Sequence, residues 1–276
     1  MARMLQRCTA PNGVVYYASP LLEAVGVPHA FSTRIGGLSR TPFDSLNLGN
    51  PNGAPAQDDY ANVWANYRLL QDACGCGGRE LLRAHQVHGK GVAIAEAGRP
   101  FDLAIKADAL VSQDAARVVS VRVADCVPVL IASDDGQTVA AVHAGWRGVV
   151  AGVIGAAIAA MGQVAGRCPP PRLIVAIGPS ISLEHFEVGP EVLAEFVRVF
   201  GPNAPIRRRD DGKGHADLRE GLLRQALDAG VPADRIDTTD RCTFRDREEF
   251  FSHRRDRGIT GRMAGIISPG ASPRRT

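Results

Sequence analysis

The sequence lacks the features that identify membrane-spanning, secreted and nucleic-acid-binding proteins. Its longest apolar run, residues 149–161, is shorter than the roughly 18 residues needed to span a bilayer. A signal peptide has a charged segment followed by an apolar one, and the first residues of this sequence do not show that pattern. The 32 Lys and Arg residues nearly balance the 29 Asp and Glu residues, so the net charge is only +3. We therefore expect neither a nucleic-acid nor a membrane partner.

The cysteines show no spacing typical of a disulfide framework, and only Cys74 and Cys76 are close in sequence. The six are Cys8, Cys74, Cys76, Cys126, Cys168 and Cys242. We expect a cytoplasmic protein with reduced thiols. In such a protein a cysteine with a special role is more often a metal ligand or a nucleophile than half of a disulfide.

Motifs of several well-known enzyme classes are also absent. The chain has no Gly-x-Gly-x-x-Gly pattern, no Walker phosphate loop and no Gly-x-Ser-x-Gly nucleophile turn. It lacks the paired His-x-Glu and Pro-Cys-x-x-Cys signature of zinc cytidine deaminases. None of the seven histidines forms a His-x-His pair, which argues against a full multicopper cluster.

The composition that remains is typical of a folded protein, with 45% hydrophobic and 22% charged residues. Runs rich in β-branched residues predict buried strands at 118–123, 127–132, 139–143 and 173–178. Helices are predicted at 58–72, 147–164, 190–200 and 218–229, and a solvated loop at 207–212. Because strands and helices do not alternate strictly, we predict an α/β (α+β) domain with mixed sheets. This single domain covers residues 1–268, and a flexible tail covers 269–276.

Three polar residues stand out against apolar surroundings. His88 follows a predicted strand, Cys126 lies between two strands, and His143 ends a strand before a glycine-rich turn. One thiolate and two imidazoles can hold a zinc ion and leave a fourth position open. The same residues allow a cysteine nucleophile, Cys126, with His143 as its base. A third reading, in which all three are ordinary buried residues, is favoured by spacing alone because no compact ligand motif marks them.

Several further polar residues are candidates for contacts with a substrate. The candidates are Arg34, Asn47, Arg147 and Arg254, with Asp125 and Arg255 beside them. Each has an ordinary alternative role in a turn or at the surface. Residues 250–256 concentrate aromatic and basic groups, which suits either a wall that contacts bases and phosphates or a plain structural segment.

Nine segments in a fixed order resemble the laccase-domain family, also called YfiH-like or multicopper polyphenol oxidoreductase. They are Phe-Ser-Thr-Arg-Ile-Gly-Gly-Leu-Ser (31–39), Ser-Leu-Asn-Leu-Gly (45–49), Gln-Val-His-Gly (86–89), Ala-Asp-Ala-Leu-Val (107–111), Ala-Asp-Cys-Val-Pro-Val-Leu (124–130), Val-His-Ala-Gly-Trp-Arg-Gly (142–148), Ala-Ile-Gly-Pro-Ser (176–180), Asp-Leu (217–218) and Phe-Phe-Ser-His-Arg-Arg-Asp (250–256) with Gly-Arg-Met (261–263). Each segment is weak alone, but together they span nearly the whole chain.

The resemblance implies a four-layer α/β/β/α fold and a catalytic zinc held at the positions of His88, Cys126 and His143. It also implies phosphorolysis of adenosine, inosine, guanosine and methylthioadenosine, and deamination of adenosine. The implied partners are purine nucleosides and phosphate, with Arg34, Arg147 and the turn after His143 as anion donors. No protein partner is indicated.

Three alternative functions stay open at this point, and one of them is a metal-binding protein without enzymatic activity. The family's older name suggests a copper-dependent polyphenol oxidase, for which Cu²⁺ would replace Zn²⁺. The Cys126 and His143 pair alone suggests a cysteine hydrolase. The sequence also departs from the family pattern at His253, where relatives often have Tyr, at residues 74–78, and at His85, an extra imidazole near His88.

Overall fold

A computed structural model describes residues 3–50, 53, 55–166 and 172–270. The strands are β1 (Arg3–Met4), β2 (Gln6–Thr9), β3 (Val15–Ala18), β4 (His29–Ser32), β5 (Glu80–Arg83), β6 (Val92–Ala95), β7 (Ala109–Ser112), β8 (Arg117–Val123), β9 (Val127–Ser133), β10 (Val139–Ala144), β11 (Leu173–Ile177), β12 (Glu187–Val188), β13 (Ile206–Arg208), β14 (Gly214–Ala216), β15 (Ile236–Thr238) and β16 (Met263–Ile267). The α-helices are α1 (Pro20–Ala24), α2 (Tyr60–Ala73), α3 (Trp146–Ala151), α4 (Val153–Ala165), α5 (Pro190–Phe200) and α6 (Leu218–Asp228). None of the helices in these ranges is long and apolar enough to cross a membrane.

The strands form two large sheets and one small one. The seven-stranded sheet has the order β1-β15-β11-β9-β10-β7-β6, and the six-stranded sheet has the order β2-β3-β4-β16-β8-β5. Both are mixed, since β10 runs antiparallel to β7 and β9 while β6 runs parallel to β7, and β5 runs parallel to β8. The small sheet has the order β12-β14-β13. The predicted mixed sheets are thus confirmed.

The central strands are apolar throughout because they are buried on both faces. Alternate residues of β9 enter different cores: Val129 and Ile131 pack with helices α4 to α6, whereas Leu130 packs with the six-stranded sheet. Helix α2 covers the outer face of that sheet, with Val63, Tyr67 and Leu70 against Val118, Ala264 and Ile266. The result is a four-layer α/β/β/α domain, as the resemblance implied.

Two predicted elements need correction. The single helix expected at 147–164 is two helices, α3 and α4, because Gly152 adopts a left-handed conformation with φ of 79° and ends the first. The loop expected at 207–212 begins instead as β13, an edge strand paired with β14. This short pairing has no periodicity that a sequence could reveal.

The predicted C-terminal tail is described only in part. Pro269 and Gly270 are buried, and the Gly270 amide donates a hydrogen bond to the Gly136 carbonyl at 2.9 Å. Residues 271–276 and Cys168 lie outside the described residues.

Candidate metal centre and its cavity

Strand register makes Cys126 and His143 neighbours. β8 ends in the six-stranded sheet and β9 begins in the seven-stranded sheet, so Cys126 lies on the crossover between them. β10 runs antiparallel to β9, with His143 paired to Pro128. An antiparallel pair brings the end of one strand to the start of the other. His143 therefore lies beside Cys126 although residues 127–142 separate the two in sequence.

His88 reaches the same place from the loop between β5 and β6. Its φ is 59°, in the left-handed region that a non-glycine residue rarely adopts. The Asp108 carboxylate offsets this strain, because it accepts hydrogen bonds from the amides of Val87 at 3.3 Å, His88 at 2.9 Å and Gly89 at 2.7 Å. Three amides on one carboxylate hold the loop in the conformation that presents the His88 ring.

The same carboxylate orients His143. Oδ1 of Asp108 lies 2.8 Å from His143 Nδ1, and the His143 amide donates to the Asp108 carbonyl at 2.7 Å. Both side chains are buried. With Nδ1 engaged, His143 has Nε2 left to bind a metal, as is usual for a metal-binding histidine supported by a carboxylate. Asp108 thus positions both imidazoles.

His88, Cys126 and His143 form what we call the ligand cluster. Their ligand atoms lie within 4.8 Å of one another, and the two imidazole rings are 4.8 Å apart at an angle of 84°. Within residues 3–50, 53, 55–166 and 172–270, this is the one group of three or more His, Cys, Asp or Glu side chains close enough to hold a metal ion. One sulfur and two nitrogens are a donor set that suits zinc. His85 is exposed and does not belong to the cluster.

The charges of the cluster favour a metal-ready thiolate. Burial disfavours ionisation of Cys126, but His143 and His88 outweigh it and lower the pKa of the thiol to about 6. Burial also opposes the charge of His143, whereas the Cys126 thiolate and Asp108 raise the pKa of its imidazole to about 9. Burial raises the pKa of Asp108, but hydrogen bonds from His143 and Gly89 outweigh it and lower that pKa.

These pKa values predict how metal affinity depends on pH. Between about pH 6 and about pH 9, the metal-free protein holds a Cys126 thiolate beside a protonated His143, and a metal ion must displace that proton. Apparent affinity should therefore rise roughly tenfold per pH unit up to about pH 9 and level off above it. Competition with a chromophoric chelator measures this slope. A flat affinity across the range would contradict the protonated state of His143.

A glycine leaves room for the ligand cluster. A Cβ added at Gly145 would lie 2.9 Å from His88 Cδ2 and 3.1 Å from Cys126 Sγ. The φ of Gly145 is −76°, which any residue adopts, so the requirement concerns space and not backbone conformation. Gly145 is also the N-cap of α3, directly after β10.

The cluster lies in a cavity of about 490 Å³, which is within the size range of small-molecule sites. The apolar part of its lining includes Trp146, Phe186 and Ile181. The basic part comprises the arginines Arg122, Arg147, Arg254 and Arg262. Such a lining suits a ligand that is flat and apolar at one end and anionic at the other.

Two of the four predicted substrate contacts line this cavity. Arg147 is one, and its guanidinium lies 4.4 Å from the centre of the Trp146 ring. Arg254 is the other, and its Nη1 donates to the Glu187 carbonyl at 2.8 Å while its amide donates to Asp125 Oδ2 at 2.7 Å. The Arg254 guanidinium also lies 5.3 Å from the Phe186 ring centre.

The structure does not bring the other two predicted contacts, Arg34 and Asn47, to the cavity. Arg34 pairs with Asp44 at 3.0 Å and lines a separate pocket of about 230 Å³. Asn47 is fully buried; its Nδ2 donates to Asp58 Oδ2 at 2.9 Å, and its Oδ1 accepts from the Arg262 amide at 2.9 Å. Asn47 therefore supports the chain at Arg262 without facing the cavity.

Sequence reasoning missed three residues that the structure brings to the site. Asp108 carried a usable signal, because a metal-binding histidine usually has a carboxylate partner. Arg122 is the one charged residue in a predicted strand that otherwise consists of valines and Ser120, which is unusual enough to indicate a function. Arg262 lies in the matched segment 261–263, and its position in the sequence does not indicate that it faces the site.

Replacing Asp108 with Asn should loosen both histidines. Asn keeps the shape of the Asp108 side chain, but one of its two terminal atoms is an NH₂ group. That donor would face the backbone amides or the His143 Nδ1 group, which also donate. We expect metal affinity to fall roughly 10- to 100-fold, as is typical when the support of a ligand is lost. Competitive metal titration measures the loss. The control is Asp102→Asn, since Asp102 is exposed and its side-chain Oδ1 accepts from the Ala104 amide at 2.8 Å, away from the ligand cluster. Equal affinity in the two variants would contradict the role of Asp108.

Two packed mixed sheets that bring one cysteine and two histidines into a cavity define an α/β protein with a candidate metal centre. The chain belongs to the family described as multi-copper polyphenol oxidoreductase laccase, whose model matches residues 28–269.

Its relatives extend over nearly the whole chain. A purine nucleoside phosphorylase of Corynebacterium glutamicum is 38% identical over 242 residues, covering 87% of this chain and 94% of that protein. Purine nucleoside phosphorylase YfiH of Escherichia coli is 39% identical over 242 residues, covering 88% of this chain and 93% of that protein. The crystal structure of YlmD from Geobacillus stearothermophilus has a TM-score of 0.83 at 30% identity, covering 98% of this chain and 100% of that one.

Proposed function

We propose that this chain is a zinc-dependent purine nucleoside phosphorylase, which converts a purine nucleoside and phosphate to the free base and ribose 1-phosphate. The observation that carries the proposal is the ligand cluster in a cavity with basic and aromatic walls. Relatives named purine nucleoside phosphorylase, which are 38–39% identical over most of the chain, support the same activity.

Zinc fits the residues present. The lowered pKa of Cys126 provides a thiolate, Asp108 leaves Nε2 of His143 available, and Gly145 leaves the space. Three protein ligands leave a fourth position for a water or a substrate atom. When bound there, zinc supplies a Lewis acid that polarises a substrate atom or lowers the pKa of a coordinated water.

The residues of the chain bind and orient the reactants. In phosphorolysis a phosphate oxygen bonds to C1′ of the ribose as the C1′–N9 bond breaks. The electron pair of that bond goes to N9, and the proton of the hydrogen phosphate dianion ends on the purine. Trp146 and Phe186 offer aromatic faces for the purine, and the arginines of the cavity offer donors for phosphate. Bringing both reactants into one cavity lowers the entropic cost of the reaction.

The substrate range belongs to the proposal. We expect adenosine, inosine, guanosine and methylthioadenosine to be accepted, because they share the purine and ribose that the cavity would hold. Deamination of adenosine to inosine is the second proposed activity, and it needs no phosphate.

Copper-dependent phenol oxidation is the second candidate, favoured by the description of the family. Multicopper chemistry needs several metal centres, and the described part of the chain offers one three-residue cluster. A single copper in the cluster would still be compatible with its two histidines and one cysteine. A hydrolase that uses Cys126 with His143 as its base is the third candidate, and it requires no metal.

The proposal is tested by product analysis. Protein with one zinc per chain is incubated with adenosine, with and without phosphate, and products are resolved by mass spectrometry. We expect adenine and ribose 1-phosphate only when phosphate is present, and inosine in both samples. Absence of phosphate-dependent turnover of adenosine, and of inosine, guanosine and methylthioadenosine assayed in the same way, would overturn the phosphorylase. Oxygen uptake with a phenol by copper-loaded protein alone would favour the oxidase.

A further inference from the structure

Arg122 lines the cavity with a cationic side chain. Its backbone is clamped by Gln86, whose Nε2 donates to the Arg122 carbonyl at 2.8 Å and whose Oε1 accepts from the Arg122 amide at 2.9 Å. Within the described residues, the Arg122 guanidinium makes no hydrogen bond and no ion pair. A partly buried arginine on a central strand is normally paired.

Arg262 lies beside Arg122 and also has no carboxylate partner within the described part of the chain. Its Nη1 donates to the carbonyls of Thr260 and Gly261, each at 3.0 Å. Its amide is fixed by Asn47 Oδ1 at 2.9 Å. The two carbonyls hold one edge of the guanidinium and leave Nε and Nη2 free to donate elsewhere.

The two arginine side chains pack around Gly49. A Cβ at Gly49 would lie 2.9 Å from Arg122 Cδ and 3.6 Å from Arg262 Cγ. Burial and the nearby charge of Arg122 lower the pKa of Arg262. Two like charges held together in a partly buried site repel each other unless an anion lies between them.

Within the described residues, no carboxylate is hydrogen-bonded to or ion-paired with either guanidinium, although the charges of Cys126 and Asp125 act on Arg262 from nearby. Asp125 is the one carboxylate among the described residues that line the cavity. Its Oδ1 accepts from Thr243 Oγ1 at 2.7 Å and its Oδ2 from the Arg254 amide at 2.7 Å, so both oxygens are engaged. The other cavity arginines also have partners: Arg147 stacks on Trp146, and Arg254 donates to a carbonyl.

We propose that Arg122 and Arg262 together bind the phosphate dianion that attacks the nucleoside. This assignment rests on the proposed phosphorylase function, and it gives the phosphate to this pair instead of to Arg34 or Arg147. Guanidinium groups match the oxygens of phosphate in a bidentate manner, and two of them neutralise its two charges. Gln86 is a positioning residue, because it fixes the strand that carries Arg122.

The test compares Arg122→Gln with the matched variant Arg208→Gln in zinc-loaded protein. Arg208 is exposed on β13 and lies outside the cavity, so the net charge changes equally while the site does not. We expect the KM for phosphate to rise roughly 10- to 100-fold in Arg122→Gln, which is the usual effect of losing hydrogen bonds to a charged group. The KM for inosine should stay near its wild-type value. Arg122→Lys, which keeps the charge without the bidentate geometry, should be intermediate.

Direct binding separates failure of the site from failure of the function. Calorimetric titration of inorganic phosphate into zinc-loaded protein needs no turnover, and adenosine 5′-monophosphate is titrated in parallel. Phosphate binding that Arg122→Gln abolishes, in a protein without phosphorolysis, would support the anion site and overturn the phosphorylase. An unchanged phosphate KM and affinity in Arg122→Gln would overturn the site. Loss of monophosphate binding alone would also overturn it, because the arginines would then serve a nucleotide.

Discussion

Replacing Cys126 with alanine is expected to remove the metal and the activity together. The variant loses the only sulfur of the ligand cluster, and two imidazoles alone hold zinc far more weakly. Zinc content should fall from about one per chain to below roughly one-tenth. Phosphorolysis should fall at least about 1000-fold if zinc is essential to the reaction. Elemental analysis and a steady-state assay on the same preparation measure both.

A second cysteine provides the matched control for this variant. Cys242 is buried and its Sγ lies 3.6 Å from His185 Nδ1, so it also forms a cysteine–histidine contact, but outside the ligand cluster. Cys242→Ala should keep its zinc and its activity, with only the small loss of stability that follows removal of a buried sulfur. Cys126→Ala protein that is metal-free and fully active would contradict the metal-dependent mechanism.

Replacing Gly145 with alanine should disturb the ligand cluster without unfolding the protein. The new Cβ would lie 2.9 Å from a ring carbon of His88 and 3.1 Å from Cys126 Sγ, so at least one ligand must move. A metal site tolerates displacements of only a few tenths of an ångström, so we expect metal affinity to fall at least about 100-fold. Because φ is −76°, the backbone accepts alanine and the thermal midpoint should change little.

Gly155→Ala is the control for the glycine experiment. Gly155 lies in α4, and a Cβ there would have nothing within 4 Å. That variant should keep its metal affinity and gain stability of about 0.5–1 kcal/mol, because alanine is the better helix former. Chelator competition and thermal unfolding are measured on both variants. Equal metal affinity in the two would mean that the cluster accommodates the extra methyl group.

The central strands could be predicted from the sequence because their burial is unusual. β9 and β10 are covered on both faces, so almost every residue is apolar and the runs are easy to recognise. The short strands β12 to β15 have no such signal. They form because they pair with each other or with β11, and the local composition of a segment does not predict pairing with a distant one.

The ligand cluster could be predicted only with the help of the family resemblance. Spacing alone favoured ordinary buried residues. The three ligands are brought together by the β9–β10 register and by the hydrogen bonds from the loop that carries His88 to Asp108. Arg34 and Asn47 illustrate the opposite limit. A polar residue in a matched segment can turn toward Asp44 or Asp58 instead of the cavity, and only the folded chain reveals its direction.

The most direct test of the account is metal reconstitution of phosphorolysis. Zinc is removed by a chelator at low pH, where His143 and Cys126 retain protons, and is then returned in substoichiometric steps at about pH 7.5. Adenosine phosphorolysis should be absent in the metal-free protein and should rise linearly to a plateau at about one zinc per chain. Full activity in the metal-free protein would contradict the account. So would the absence of activity after complete reloading with zinc, when adenosine, inosine, guanosine and methylthioadenosine are each assayed as the substrate.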